Sequence, residues 1–210
     1  MHWQGDSNGG ATVMSRGALL RRGAVGGGAL LVSASGLAAV APLARADAPP
    51  DADLTYLRLL IAAELLAVDF HSRALASRKL RREAHSLFRR IRSDEHDHYK
   101  RLASLLTAAG QTPATADEIN FSYPRGTFHS QASVLGLARR LERLLVGAYV
   151  GAVEIVETPE LRAAVGQIAA NEAQHQSAVA GLSGRPTVGR AFVPALQIGA
   201  VSNALDEYES

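Results

Sequence analysis

Four long stretches of this chain repeat apolar residues at three- and four-residue steps, and no segment of useful length alternates with a period of two. The first begins at Asp51 or Asp53 and reaches about Ser77, with Leu57, Leu60, Ile61, Leu65 and Val68 on the helical period. Pro49-Pro50 end the preceding linker, and Asp51 or Asp53 can cap the helix, with acids in the first turn where the dipole favours them. A second helix is expected from about Lys79 to Ala109, stopped by Gly110 with Pro113 just beyond. Residues 111–127, QTPATADEINFSYPRGT, lose the period and contain two prolines and a glycine, which predicts a long connection. A third helix follows from about Phe128 to Glu157. Thr158-Pro159-Glu160 then reads as an N-cap, a proline at the first helical position and a first-turn acid, starting a fourth helix that runs to about Gly181. Beyond Gly184 the chain reads as loop until a short helix near residues 201–208.

This layout predicts an all-α protein, a four-helix bundle. Short links join the first helix to the second and the third to the fourth, while 17 residues separate the second from the third. Two antiparallel hairpins joined by one long crossover differ from a bundle whose loops are all short. Helices of this size extend about 40 Å at about 1.5 Å per residue, enough to bury a site far from either end.

Composition narrows the functional classes. With 210 residues and 47% apolar content the chain suits one domain with a real core. The first 46 residues hold Arg16, Arg21, Arg22 and Arg45 against Asp6, leaving 18 of the 22 basic and 19 of the 20 acidic residues for the remainder. That balance gives no basic field for nucleic acid, and 5% aromatics offer few stacking surfaces. The absence of cysteine excludes disulfides and thiolate metal sites. Arg21-Arg22 precede an uncharged, Gly- and Ala-rich stretch, Gly23 to Leu43, that ends in Ala44-Arg45-Ala46, a small-x-small cleavage pattern. Residues 1–46 therefore read as a removable export signal, with an extracytoplasmic or periplasmic destination and no stable membrane span after cleavage. The paired arginines resemble a twin-arginine signal, although Leu20 before the pair and Gly23-Ala24-Val25 after it depart from the usual pattern. Residues 47–184 would form the bundle and 185–210 a tail. Its apolar segment Ala191 to Ile198 can pack across the bundle or on a neighbouring subunit, which makes a homodimer one option.

The candidate chemistry lies inside the helices. Glu95-His96-Asp97-His98 and Glu172-Ala173-Gln174-His175 are two Glu-x-x-His motifs 77 residues apart, in the second and fourth helices. Positions i and i+3 lie about 300° apart around a helix, so each Glu and its His leave from nearly one face. Each of the other two helices offers a lone mid-helix glutamate. Glu64 lies within Leu60-Ile61-Ala62-Ala63-Glu64-Leu65-Leu66, where an unpaired ion would be costly. In the third helix Glu142, between Leu141 and Leu144-Leu145, is preferred to Glu154 and Glu157 near the helix end, with Glu154 in reserve. Arg139, Arg140 and Arg143 leave open whether Glu142 binds metal or pairs with a guanidinium. Six ligands follow: Glu64, Glu95, His98, Glu142, Glu172 and His175. Asp94 and Asn171, four residues before each ligand histidine, can accept the second ring N–H, or can simply be exposed helix residues. His71, seven residues after Glu64, is either an outer group of the site or a polar residue at the bundle rim. Tyr149, seven after Glu142, is a candidate catalytic phenol or a core tyrosine with a satisfied hydroxyl.

The order Glu64, Glu95-x-x-His98, Glu142 with Tyr149, and Glu172-x-x-His175 resembles the ferritin-like superfamily. More narrowly it is similar to the exported ferritin-like domain family that includes plant desiccation-related proteins. AAELLAVDFH, SDEHDHYKRL, LERLLVGAYVGA and AANEAQHQSA carry the likeness, over about residues 51–184. The resemblance implies a bundle with a carboxylate-bridged metal pair. Oxygen-rich sites with one imidazole per metal suit two iron or manganese ions, iron favoured, with oxygen or peroxide as reactant. The leading expectation is a stress-protective protein that oxidises Fe(II) or reacts with oxygen or peroxide. The alternative is a metal-binding or structural desiccation-associated bundle without turnover. Iron storage in a cage is a third reading, for which the chain offers no specific feature.

Overall fold

The computed structural model describes residues 48–209, and the export-signal reading of residues 1–46 lies outside them. Four long helices, α1 (Asp51–Ala76), α2 (Arg82–Ala108), α3 (Gln131–Ile155) and α4 (Pro159–Leu182), are followed by a short α5 (Ile198–Asp206). No ladder of strands occurs among the described residues; one isolated bridge joins Phe121 to Glu209. The pairs α1–α2 and α3–α4 form hairpins, and α1 meets α3 while α2 meets α4 to close the square. No helix among the described residues is long and apolar enough to cross a membrane.

Burial explains why the helices differ. α1 is buried almost all round from Asp53 to Ala67, because α2 and α3 take two of its faces and α5 lies over the side it shares with α3. α2 is the opposite case: it buries Ala84, Phe88, Ile91, Glu95, Leu102 and Leu106 along one stripe and turns its many charges outward.

Helix starts depart from the sequence expectation in three places. α2 begins at Arg82 rather than near Lys79, because Arg78 takes a left-handed φ of 57° to turn the hairpin. α3 begins at Gln131, where the Ser130 hydroxyl caps the Ser133 N–H at 3.1 Å. Phe128 stays in the crossover, its ring 5.9 Å from Phe70 and 5.3 Å from Tyr123, so tertiary packing outcompetes one more helical turn. Neither Asp51 nor Asp53 caps α1, whose N-cap is Pro50. Asp53 instead serves α4, accepting from the backbone of Glu157 (3.0 Å) and Thr158 (2.8 Å) and from the Thr158 hydroxyl (2.6 Å). Burial raises the Asp53 carboxyl, but these hydrogen bonds, Thr158 first, outweigh it and hold the pKa below the ordinary range.

After α4 the tail returns over α3. Leu196 N donates to Gly147 O at 2.9 Å, and a Cβ on Gly147 would come 2.7 Å from Leu196 Cγ. Gly151 is still tighter against the Leu196 carbonyl, so only hydrogen at both positions lets the segment lie this close. The segment thus packs across its own bundle through Leu196, while Val188 and Phe192 stay exposed at 85% and 89%. Ser122 N donates to Tyr208 O at 2.7 Å and fixes the tail's end to the crossover.

Candidate metal centre

Glu64, Glu95, Glu142 and Glu172 meet at the centre of the bundle, each fully buried, one from each long helix. Their ligand atoms fall into two groups that share Glu95 and Glu172: Glu64 with His98, and Glu142 with His175. His98 Nδ1 lies 3.0 Å from Glu172 Oε1, 3.3 Å from Glu95 Oε2 and 3.6 Å from Glu64 Oε2. His175 Nδ1 lies 3.3 Å from Glu95 Oε1, 3.6 Å from Glu172 Oε2 and 3.9 Å from Glu142 Oε2. The six residues selected from the sequence are therefore brought together. Glu154 is not: it is exposed. No arginine lies within ion-pair distance of Glu142 among the described residues; Arg140 and Arg143 are exposed. His96 and Asp97 also face outward, stacked on Tyr99 and paired with Lys100.

The imidazoles are oriented across the α2–α4 face. His98 Nε2 donates to Asn171 Oδ1 at 3.0 Å, which leaves Nδ1 aimed at the carboxylates. His175 Nε2 makes the reciprocal approach to Asp94 Oδ2 at 3.4 Å. Each polar partner thus serves the histidine of the opposite motif rather than its own. On the other side, Tyr149 is buried and its hydroxyl donates to Glu64 Oε1. His71 is buried beside the centre and not at the rim, with Nε2 3.7 Å from Glu142 Oε1.

Charge separates this cluster from an ordinary polar core. Burial, then the neighbouring Glu95 charge, pushes Glu64, Glu142 and Glu172 above the usual carboxylate range. Burial acts the same way on Glu95, but the close approach of the His175 and His98 rings outweighs it and holds this carboxyl low. Burial opposes protonation of His98 and His175; the approach of Glu172 and the neighbouring carboxylates overcomes that, raising both and taking His175 to about 11. His71, with no such donor geometry, is lowered by burial to about 4. Burial and the Glu64 charge raise Tyr149 well above the phenol range.

A pair of divalent cations fits these residues. Among the described residues, every buried side-chain N or O atom without a hydrogen-bond partner belongs to Glu64, His71, Glu95, Glu142, Glu172 or His175. Unpartnered buried polar atoms each cost about 1–3 kcal/mol, and here they converge instead of scattering. Four ionised carboxylates carry four negative charges, which two divalent ions neutralise. The role of Asp53 at α4 escaped sequence reasoning, which offered it only as a cap for α1, since nothing local marks an acid that caps a helix more than a hundred residues away.

Fold and site together define a four-helix bundle with a carboxylate- and histidine-lined centre able to hold metal ions. The chain belongs to the ferritin-like domain family, whose model matches residues 52–185. Among solved structures it is similar to a conserved hypothetical protein, rv2844, from Mycobacterium tuberculosis. That likeness has 20% identity and a TM-score of 0.57 and covers 67% of this chain and 96% of that one. At this identity it speaks to the fold alone. No curated protein matches the chain.

Proposed function

We propose that the protein binds two iron or manganese ions, iron favoured, and oxidises Fe(II) or reacts with oxygen or peroxide in a protective role. The observation that carries this reading is the convergence of all unpartnered buried polar atoms on one symmetric set of carboxylates and imidazoles. Glu64, Glu95, Glu172 and His98 would hold one ion, and Glu95, Glu142, Glu172 and His175 the other. Such ions, when bound, supply redox electrons and Lewis acidity. The chain's own part is to exclude bulk water with the surrounding leucines and to hold Glu64 in place through the Tyr149 hydroxyl. His98 and His175 are slightly exposed between α2 and α4, so that face is the short path for ions and small oxidants.

Export supports a protective role outside the cytoplasm, and rests on Arg21-Arg22, the uncharged stretch and Ala44-Arg45-Ala46. N-terminal sequencing of protein from its native compartment should find a mature start at Asp47. Metal analysis of the same material should return two ions per chain. Fe(II) oxidation under oxygen should exceed the protein-free control and fall to it in Glu64→Ala and Glu172→Ala. Two bound metals with no turnover would favour the non-catalytic desiccation-associated reading instead. Gel filtration tests a homodimer, for which the exposed Phe192 is the best-placed apolar side chain.

A further inference from the structure

The two hairpins repeat one pattern with two differences in it. Glu64 of α1 corresponds to Glu142 of α3, Glu95-x-x-His98 to Glu172-x-x-His175, and Asp94 to Asn171. Seven residues after each lone glutamate comes a group that reaches the other hairpin's carboxylate: Tyr149 toward Glu64, and His71 toward Glu142. The equivalence ends at the chemistry. A phenol donates a hydrogen bond, and one Glu64 oxygen is thereby engaged. His71 cannot do the same. Its Nδ1 lies 2.8 Å from Ala67 O, and a carbonyl only accepts, so the ring proton is on Nδ1 and Nε2 presents a lone pair. Phe70 and Phe88 wall the ring at centroid distances of 5.2 and 5.1 Å. Nε2 has no hydrogen-bond partner, and neither has either oxygen of Glu142. Two buried polar atoms without a hydrogen-bond partner therefore face each other at 3.7 Å. A cation between them would engage both. Two donors on one ion at about 2.1 Å each span at most about 4.2 Å, which His71 Nε2 meets toward Glu142; the ring lies outside the group of ligand atoms already within 4.8 Å of one another and has to close on it as the ion enters.

We propose that His71 is a third imidazole ligand of the centre, coordinating through Nε2 at the subsite of Glu95, Glu142, Glu172 and His175. The two metal positions are then chemically unequal. One has a single nitrogen donor and a glutamate restrained by Tyr149; the other has two nitrogen donors and an unrestrained glutamate. Added nitrogen favours borderline divalent ions over harder ones, so the two positions fill in order rather than together. This inference rests on the paired-metal reading above.

The test uses Co(II) as probe on the full chain. Each imidazole bound to cobalt gives one exchangeable N–H proton signal shifted far outside the normal NMR range. Three such signals are expected in the wild type with two equivalents bound, and two in His71→Leu, which keeps the volume but loses the lone pair. Calorimetric titration should show two unequal steps in the wild type. In His71→Leu one of them should weaken by about tenfold to a hundredfold while the other holds. Two shifted signals in the wild type with both ions bound would overturn the assignment of His71 alone, whether or not the variant folds. No bound cobalt at all would overturn the paired-metal reading and this inference with it.

Discussion

Asn171 and Asp94 show how much of a metal centre is decided by side chains that need not touch the metal. By accepting from His98 Nε2 at 3.0 Å, Asn171 fixes which nitrogen faces inward. Asn171→Leu is expected to leave the fold intact and to weaken metal affinity about tenfold to a hundredfold, read by competition with a chelating dye. The protonation pattern has a second consequence. Glu64, Glu142 and Glu172 are raised, and so are His98 and His175, the last to about 11, so the metal-free centre holds protons near neutrality. Ligation requires those protons to leave, so affinity should rise with pH. Titrations in two buffers of different ionisation enthalpy should show net proton release; a proton count of zero would contradict it. The choice of Glu142 over Glu154 was legible because Leu141 and Leu144-Leu145 flank it, whereas the direction of its neighbouring arginines depends on α3's rotation within the bundle.

Among the helices, Asp53 acts as a clasp between the start of α1 and the start of α4. Asp53→Ala should cost about 2 kcal/mol, since it strands two backbone N–H groups and a hydroxyl beside a helix start. The folded pKa of Asp53 is depressed, so its contribution is complete above the unfolded value of about 3.9 and is lost as pH falls through the lower folded value. Denaturant titrations should therefore show a wild-type-to-variant gap that is full at pH 6 and shrinks below about pH 4. Gly151→Ala tests the crossing of the tail. Alanine in a helix interior gains about 1 kcal/mol over glycine, but overpacking against the Leu196 backbone costs about 1–3 kcal/mol, so clash wins. The expected result is earlier protease cleavage after residue 184 with the helical signal of the bundle retained. Periodicity and stop signals gave the four helices and their connectivity. They failed at Phe128 and at the α1 cap, because those outcomes are set by Phe70 and Thr158, partners distant in the chain.

For the molecule as a whole, the bundle is built around a charge conflict. A metal-free chain buries four carboxylates with proton compensation only, while the cluster that could take up ions exists in the folded state alone. Free metal at a hundred times its dissociation constant should add about 2.7 kcal/mol per site, so chelator treatment should lower the melting temperature and reloading should restore it. An unchanged melting curve would mean that the centre does not bind the ion used. The class of the fold and the place of its centre were readable from spacing, since a buried glutamate in an apolar helix demands a partner and the motifs supply one. The reaction was not, because iron and manganese accept the same donors.

The return of the tail across Gly147 and Gly151 also sets an order of events during synthesis. Residues 194–208 leave the ribosome after all four long helices, at about 5–20 residues per second, so α1 and α3 wait uncovered until that segment has emerged. A chain truncated near residue 184 would carry its complete set of candidate ligands yet display the leucine-rich flank that α5 normally shields, which marks it for chaperones and proteases. Seating of α5 thus reports that residues 194–208 have emerged and packed.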